Sequence, residues 1–293
     1  MARGWRRCAA RPPDGGPHCI LDPRSPARVV SPAARPRALR GFLVAVILGA
    51  ASLVGCGSAI DPAADPAPAT TTGVDPTDVG PPPLDHGLGA DLLSHLLEST
   101  VHVKGLDCQT AQKGSGFVVD GGLVATGAHV VSGIDVPTIV IGVGDEQREV
   151  ASRVAAFDAV TDLALLRPLE SVDLPPALGL GDVVEDTVGA ILVHDGESAR
   201  ALPAGIARRI RATGADIYGR PAGGRDALVL AASVQVGHSG SAVVDANGRV
   251  VGVAFSRARG GTPIAYAVQA KELDVLMGRV DLDPPGHRPC RDA

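Results

Sequence analysis

The stretch Val236-Gly237-His238-Ser239-Gly240-Ser241-Ala242-Val243-Val244-Asp245 is a polar, glycine-rich turn that runs straight into an apolar strand. A serine hydroxyl is a weak nucleophile until a neighbouring base takes its proton, and the oxygen that turns negative during attack needs preorganised N–H donors. Gly237, lacking a Cβ, is free to aim its N–H beside that of Ser239 and form such a pair. Ser239 is therefore a candidate nucleophile, with Gly237 and Ser239 as candidate oxyanion donors. The competing reading is an ordinary hairpin turn of small residues. The choice depends on a base and an orienting acid elsewhere in the chain.

Leu123-Val124-Ala125-Thr126-Gly127-Ala128-His129-Val130-Val131 supplies the base. A histidine directly after a strand, among small and apolar residues, is placed to accept and return a proton near neutral pH. Phe157-Asp158-Ala159-Val160-Thr161-Asp162-Leu163 supplies the acid. Asp162 enters the following strand directly and is preferred over Asp158, which reads as a loop residue. The order His129, Asp162, Ser239 differs from Ser-acid-His of α/β-hydrolases and Asp-His-Ser of subtilisins. No phosphate-binding loop, zinc-type Cys/His spacing or EF-hand loop occurs, so neither metal nor cofactor is expected.

Around these segments the chain is a series of short apolar runs broken by Gly, Pro and Asp. One set comprises residues 99–104, 114–119, 123–126, 137–143, 149–157 and 163–167. After a Pro-rich, acidic link at 168–186 comes a second set at 188–194, 206–212, 227–234, 242–244, 250–255 and 264–268. Asn247-Gly248 is a strong hairpin signal between two of them. Two groups of about six strands predict an all-β fold of two six-stranded antiparallel β-barrels. Leu92, Leu93, Leu96 and Leu97 predict a short helix before the first strand. Residues 269–280, with Leu273, Val275, Leu276 and Val280, predict a closing C-terminal helix.

Charge is unevenly spread. Residues 1–40 hold nine Arg against Asp14 and Asp22, a balance of +7, so with −5 overall the remainder carries −12. An acidic body with one Trp, two Tyr and four Phe lacks both phosphate-neutralising charge and stacking platforms, which argues against nucleic acid.

The basic end precedes Gly41-Phe-Leu-Val-Ala-Val-Ile-Leu-Gly-Ala-Ala-Ser-Leu-Val-Gly55. At about 1.5 Å per residue this run reaches only about 22 Å of the roughly 30 Å hydrocarbon core, as befits the apolar part of a signal peptide. Leu53-Val54-Gly55-Cys56 resembles a bacterial lipobox, with Cys56 lipidated; a short uncleaved anchor is the alternative. Forty residues are long for what precedes, and a start at Val29 or Val30 would shorten them. The expected organisation is a signal peptide at 1–55, Cys56 and a disordered linker at 56–86, and one domain at 87–293. The expected location is the outer face of a bacterial cytoplasmic membrane. Cys108 and Cys290 are the cysteines left after export and are expected to form a disulfide, contributing roughly 5 kcal/mol by loop closure.

Together these motifs resemble the chymotrypsin-like (trypsin-fold) serine proteases, and within them the actinobacterial MarP-like envelope group. The resemblance runs from about Leu97 to Cys290. It includes Gly114-Ser115-Gly116-Phe117-Val118, the His129 and Asp162 segments, Asp216-Ile217-Tyr218-Gly219 and the Ser239 turn. It implies a two-barrel fold, peptide-bond hydrolysis by His129, Asp162 and Ser239, and peptide or protein substrates. By the same analogy Ser233 would lie at the base of the specificity pocket, with Val253-Ala254-Phe255 as a wall. With no carboxylate at 233, small or apolar residues are expected there rather than Lys or Arg. The sequence departs from the family at Ser241 and Ala242, where Gly and Pro are usual, and at His238, where Asp or Asn is usual. These departures keep a second reading open, a non-catalytic binding module on the same fold. A chaperone-protease of the HtrA type is disfavoured because no PDZ-sized segment follows Cys290.

Overall fold

A computed structural model describes residues 79–108, 110–258, 261–280 and 288–290. The signal peptide, Cys56 and most of the linker expected from the sequence lie outside the described residues.

The first barrel comprises β1 (Thr100–Leu106), β2 (Ala111–Val119), β3 (Leu123–Gly127), β4 (Thr138–Ile141), β5 (Arg148–Asp158) and β6 (Leu163–Pro168). The second comprises β7 (Thr187–His194), β8 (Ala199–Ala215), β9 (Pro221–Ala231), β10 (Ala242–Val244), β11 (Val250–Arg257) and β12 (Ile264–Gln269). All ladders are antiparallel, and the two sheets close in the orders β1-β2-β3-β6-β5-β4 and β10-β11-β12-β9-β8-β7. Helices α1 (Ala90–Glu98), α2 (Ala128–Val131) and α3 (Ala270–Met277) complete the domain.

The strands read as nearly unbroken apolar runs because many are buried on both faces. Side chains alternate across a strand. On β6, Leu163 and Leu165 join the core between the barrels, while Ala164 and Leu166 fill the first barrel. On β7 and β10, Ala190, Leu192, Ala242 and Val244 face the same shared core, while Ile191, Val193 and Val243 fill the second barrel. At about 25 cal/mol per Å² of apolar surface removed from water, this shared layer holds the barrels together. Leu96 of α1 and Leu273 and Leu276 of α3 are buried in it. Val275 of α3 is 53% exposed, because successive helical residues turn by about 100° and it falls off the 273–276 stripe.

The Asp245–Arg249 hairpin follows its sequence signal. Asp245 Oδ1 accepts the N–H groups of Asn247 (2.9 Å) and Arg249 (2.8 Å), and Gly248 takes the left-handed conformation, φ +77°. The β8–β9 hairpin is much longer than the apolar runs predict. Its tip crosses to the first barrel, where the Ile217 N–H donates to the Ala159 carbonyl at 3.1 Å.

Candidate active site

His129 sits in α2, two residues past the end of β3. A Cβ at Gly127 would lie 3.2 Å from the imidazole Cε1 and Nδ1, so the glycine leaves room for the ring. Asp162 meets it from the start of β6. The carboxylate accepts the His129 backbone N–H at 2.9 Å and stands 2.8 and 2.9 Å from Nδ1, while the Asp162 carbonyl accepts the Ala128 N–H at 3.1 Å. Asp162 adopts φ +62°, a left-handed conformation that Asp tolerates better than most residues. Its side chain is 6% exposed, against 17% for His129. A buried carboxylate facing Nδ1 requires the proton there, which leaves Nε2 as the acceptor. Asp158, the competing acid, is engaged otherwise: its Oδ1 accepts the N–H groups of Val160 and Thr161, shaping the turn that delivers Asp162.

The Ser239 turn is fixed by an unequal use of its backbone. Three of its N–H groups are engaged: His238 donates to Gln235 O (3.1 Å), Gly240 to Ala254 O (2.7 Å) and Ser241 to His238 O (3.3 Å). The N–H groups of Gly237 and Ser239 donate to no acceptor among the described residues. Gly237 has φ +96° with open space where a Cβ would be, whereas a Cβ at Gly240 (φ +84°) would meet Ser115 O at 2.3 Å. The Ser239 hydroxyl makes no hydrogen bond among the described residues, to His129 or otherwise.

His129, Gly237, His238 and Ser239 line one cavity of about 290 Å³. Val234, Gln235, Val236, Ala254, Phe255, Ser256 and Arg257 form its other walls, together with Gln112 and Lys113 from β2. No carboxylate is among them. Of the residues expected at the specificity pocket, the structure brings Ala254 and Phe255 to this cavity. Ser233 is exposed and is not among the residues that line it. Val253 is 1% exposed, since alternation along β11 points it into the shared core. The Phe255 ring is backed by the Arg225 guanidinium, 4.5 Å from its centroid.

Sequence reading missed Ser115 as an organiser of the site. Its N–H donates to the Ser239 carbonyl at 2.8 Å. Its Oγ lies 3.2 Å from the Gly237 carbonyl and accepts the His194 N–H at 3.0 Å. The signal was the glycine on each side, since a Cβ at Gly114 would stand 2.7 Å from Ser239 O. The hydroxyl of Ser241 is buried without a hydrogen-bond partner among the described residues. Cys108 and Cys290 are joined by a disulfide, with Cα atoms 6.1 Å apart. This fastens the tail beside α2, where Ser132 Oγ donates to the Pro289 carbonyl at 2.8 Å.

Paired barrels with a histidine–aspartate pair facing a serine turn define a class. Residues 114–253 match the trypsin-like peptidase domain, and over this stretch the chain is similar to that family. It is 30% identical over 181 residues to the serine protease Rv3671c of Mycobacterium tuberculosis, covering 61% of this chain and 44% of the relative. It is also 30% identical over 179 residues to a probable periplasmic serine endoprotease, DegP-like, of Brucella suis, covering 57% of this chain and 33% of that protein. The chain thus spans less than half the length of these relatives. The crystal structure of the active form of the Rv3671c protease superposes with a TM-score of 0.65 at 28% identity, covering 73% of this chain and 94% of that one. The inactive form superposes at 0.58 and 27% identity, covering 69% and 98%.

Proposed function

We propose that this chain is an exported serine endopeptidase in which His129, Asp162 and Ser239 form the catalytic triad. One observation carries the reading: a single cavity brings together His129, oriented by a buried carboxylate, and a serine turn with two unspent N–H donors. Nε2 of His129 takes the Ser239 proton as Oγ attacks the substrate carbonyl, and the N–H groups of Gly237 and Ser239 receive the oxyanion. The C–N bond breaks as the imidazolium returns its proton to the leaving amine. Water then hydrolyses the acyl-enzyme through the same base. Higher similarity to the active than to the inactive form of the Rv3671c protease supports a competent arrangement.

Substrate enters as an extended peptide. β10 pairs with β11 only as far as Val253, and the edge continuing through Phe255, Ser256 and Arg257 is open to an added strand on the cavity side. The walls offer Val234, Val236, Ala254 and Phe255 to a small or apolar side chain, while Lys113 and Arg257 repel a basic one. Export by the N-terminal apolar run and lipidation at Cys56 would hold the domain in the cell envelope, in keeping with the periplasmic location in the name of the DegP-like relative.

The binding-module reading draws on the missing Ser239–His129 hydrogen bond and the orphan Ser241 hydroxyl. A diverse peptide library, digested by the disulfide-intact protein, decides between them. Cleavage that Ser239→Ala abolishes supports the peptidase, and an uncut library supports the module. Cutting chiefly after Lys or Arg would overturn the specificity assignment.

A further inference from the structure

The residue between the two unspent donors, His238, is 6% exposed. It closes the turn by a reciprocal pair of hydrogen bonds. Its N–H donates to the Gln235 carbonyl at 3.1 Å, and the Gln235 N–H donates to its Nδ1, also at 3.1 Å. Its carbonyl accepts the Ser241 N–H. A backbone amide always carries its proton, so Nδ1 must be bare: the ring is neutral and bears its hydrogen on Nε2.

A proton on Nδ1 would set two donors against each other at this distance. The bond that closes the turn would become a repulsion. Gly237, with open space around it, is the joint at which the turn would then give way, and one of the two free N–H groups is its own.

We propose that His238 is a positioning residue that locks the oxyanion turn only while its Nδ1 is unprotonated, so that acid unlocks the turn independently of His129. The Asp or Asn usual at this position in the family offers an acceptor oxygen, and an amide oxygen stays unprotonated throughout the range in which imidazole titrates. Histidine makes the acceptor titratable.

The charged and titratable groups facing His238 are Arg200 on β8 and Asp195 in the β7–β8 turn, which pair with each other, and across the cavity Lys113 on β2, His129 on α2 and Arg257 on β11. Burial foremost, and then Arg200, press the His238 pKa below its ordinary value, with Asp195 opposing them. The lock therefore holds at neutral pH and opens below the usual imidazole range.

The kinetic part of the test rests on the peptidase reading; the spectroscopic part does not. In ¹⁵N NMR of the disulfide-intact chain, His238 should be the Nε2–H tautomer at about pH 8, with the Gln235 amide protected from exchange. On acidification the ring titration and a loss of Gln235 protection of about tenfold or more should coincide, in Ser239→Ala as in the parent chain. An Nδ1–H tautomer, or a Gln235 amide indifferent to the titration, overturns the proposal.

In kcat against pH, His238→Asn should retain at least about threefold more kcat at neutral pH than His238→Ala and lose an acid-side ionisation that the parent chain shows. His238→Ala should lower kcat by about 10- to 100-fold with KM within about threefold, because the donors act on the transition state. An acid limb unchanged in His238→Asn contradicts the proposal even if the alanine variant fails to fold. A parent chain that cleaves nothing counts against the peptidase, and the NMR outcome then decides this proposal by itself.

Discussion

The backbone N–H of Ser115, on β2 of the first barrel, donates to the carbonyl of Ser239, in the turn before β10 of the second, at 2.8 Å. This contact sets the candidate nucleophile against the barrel that carries the candidate base. The Ser115 hydroxyl reinforces it by reaching the Gly237 carbonyl and the His194 N–H. Ser115→Ala strands those buried groups and should cost about 1–3 kcal/mol in urea unfolding. It should lower kcat more than it changes KM. Wild-type stability and kcat would show that the hydroxyl contributes nothing.

Two glycines of the turn should respond differently to a methyl group. At Gly240 a Cβ would stand 2.3 Å from Ser115 O and 2.4 Å from Thr126 Oγ1, in a left-handed conformation. Gly240→Ala should cost at least about 3 kcal/mol and displace Ser239. Gly237 has the space but not the preferred φ, so Gly237→Ala should cost only about 1–2 kcal/mol and fold, with reduced kcat. Equal losses of stability in thermal unfolding would refute this assignment of the turn geometry.

The two aspartates before β6 separate by role. Asp162→Asn should leave the fold intact and lower kcat by about 10⁴-fold, because the amide no longer holds the proton on the correct nitrogen. Asp158→Ala removes a turn cap and should cost about 1 kcal/mol with less than a tenfold loss of kcat. Kinetics of the two variants in which Asp158→Ala is the more damaging would reverse the assignment.

Stability should fall in acid. His102 and His238 both have pKa values lowered by burial first; for His102 the bond to the His194 carbonyl opposes that shift, while for His238 Arg200 adds to it. A folded pKa below the unfolded one means that the unfolded chain binds more protons over that interval. This stability is full above about pH 6.5 and is lost as pH drops through the folded values. Urea midpoints should be level between about pH 7 and 8 and decline below about 6, with a shallower decline in His102→Gln. A midpoint that does not move between about pH 7 and 5 would contradict the shifts.

The fold was legible because burial on both faces writes strands as compact apolar runs, with Gly and Asn-Gly marking the turns. Ala242–Val244 is the same in sequence and structure. The β8–β9 hairpin was not legible beyond 206–212 and 227–234, because residues 199–205, 213–215 and 221–226 are rich in Ala, Gly and Pro and give it no periodic apolar face. The positions of His129, Asp162 and Ser239 could be read from local motifs. Ser233 and Val253 could not be placed, because a count of residues from the serine does not encode where β9 ends or which way β11 faces. The roles of Ser115 and His238 depend on contacts across the barrels or around a turn, which no local pattern records.

The most direct test of the central claim is labelling by a fluorophosphonate, followed by peptide mapping of the disulfide-intact protein. The account predicts a single adduct on Ser239, absent from Ser239→Ala and strongly reduced in a His129→Ala variant that still folds. No adduct on the folded wild-type chain, or an adduct on another serine, would contradict it.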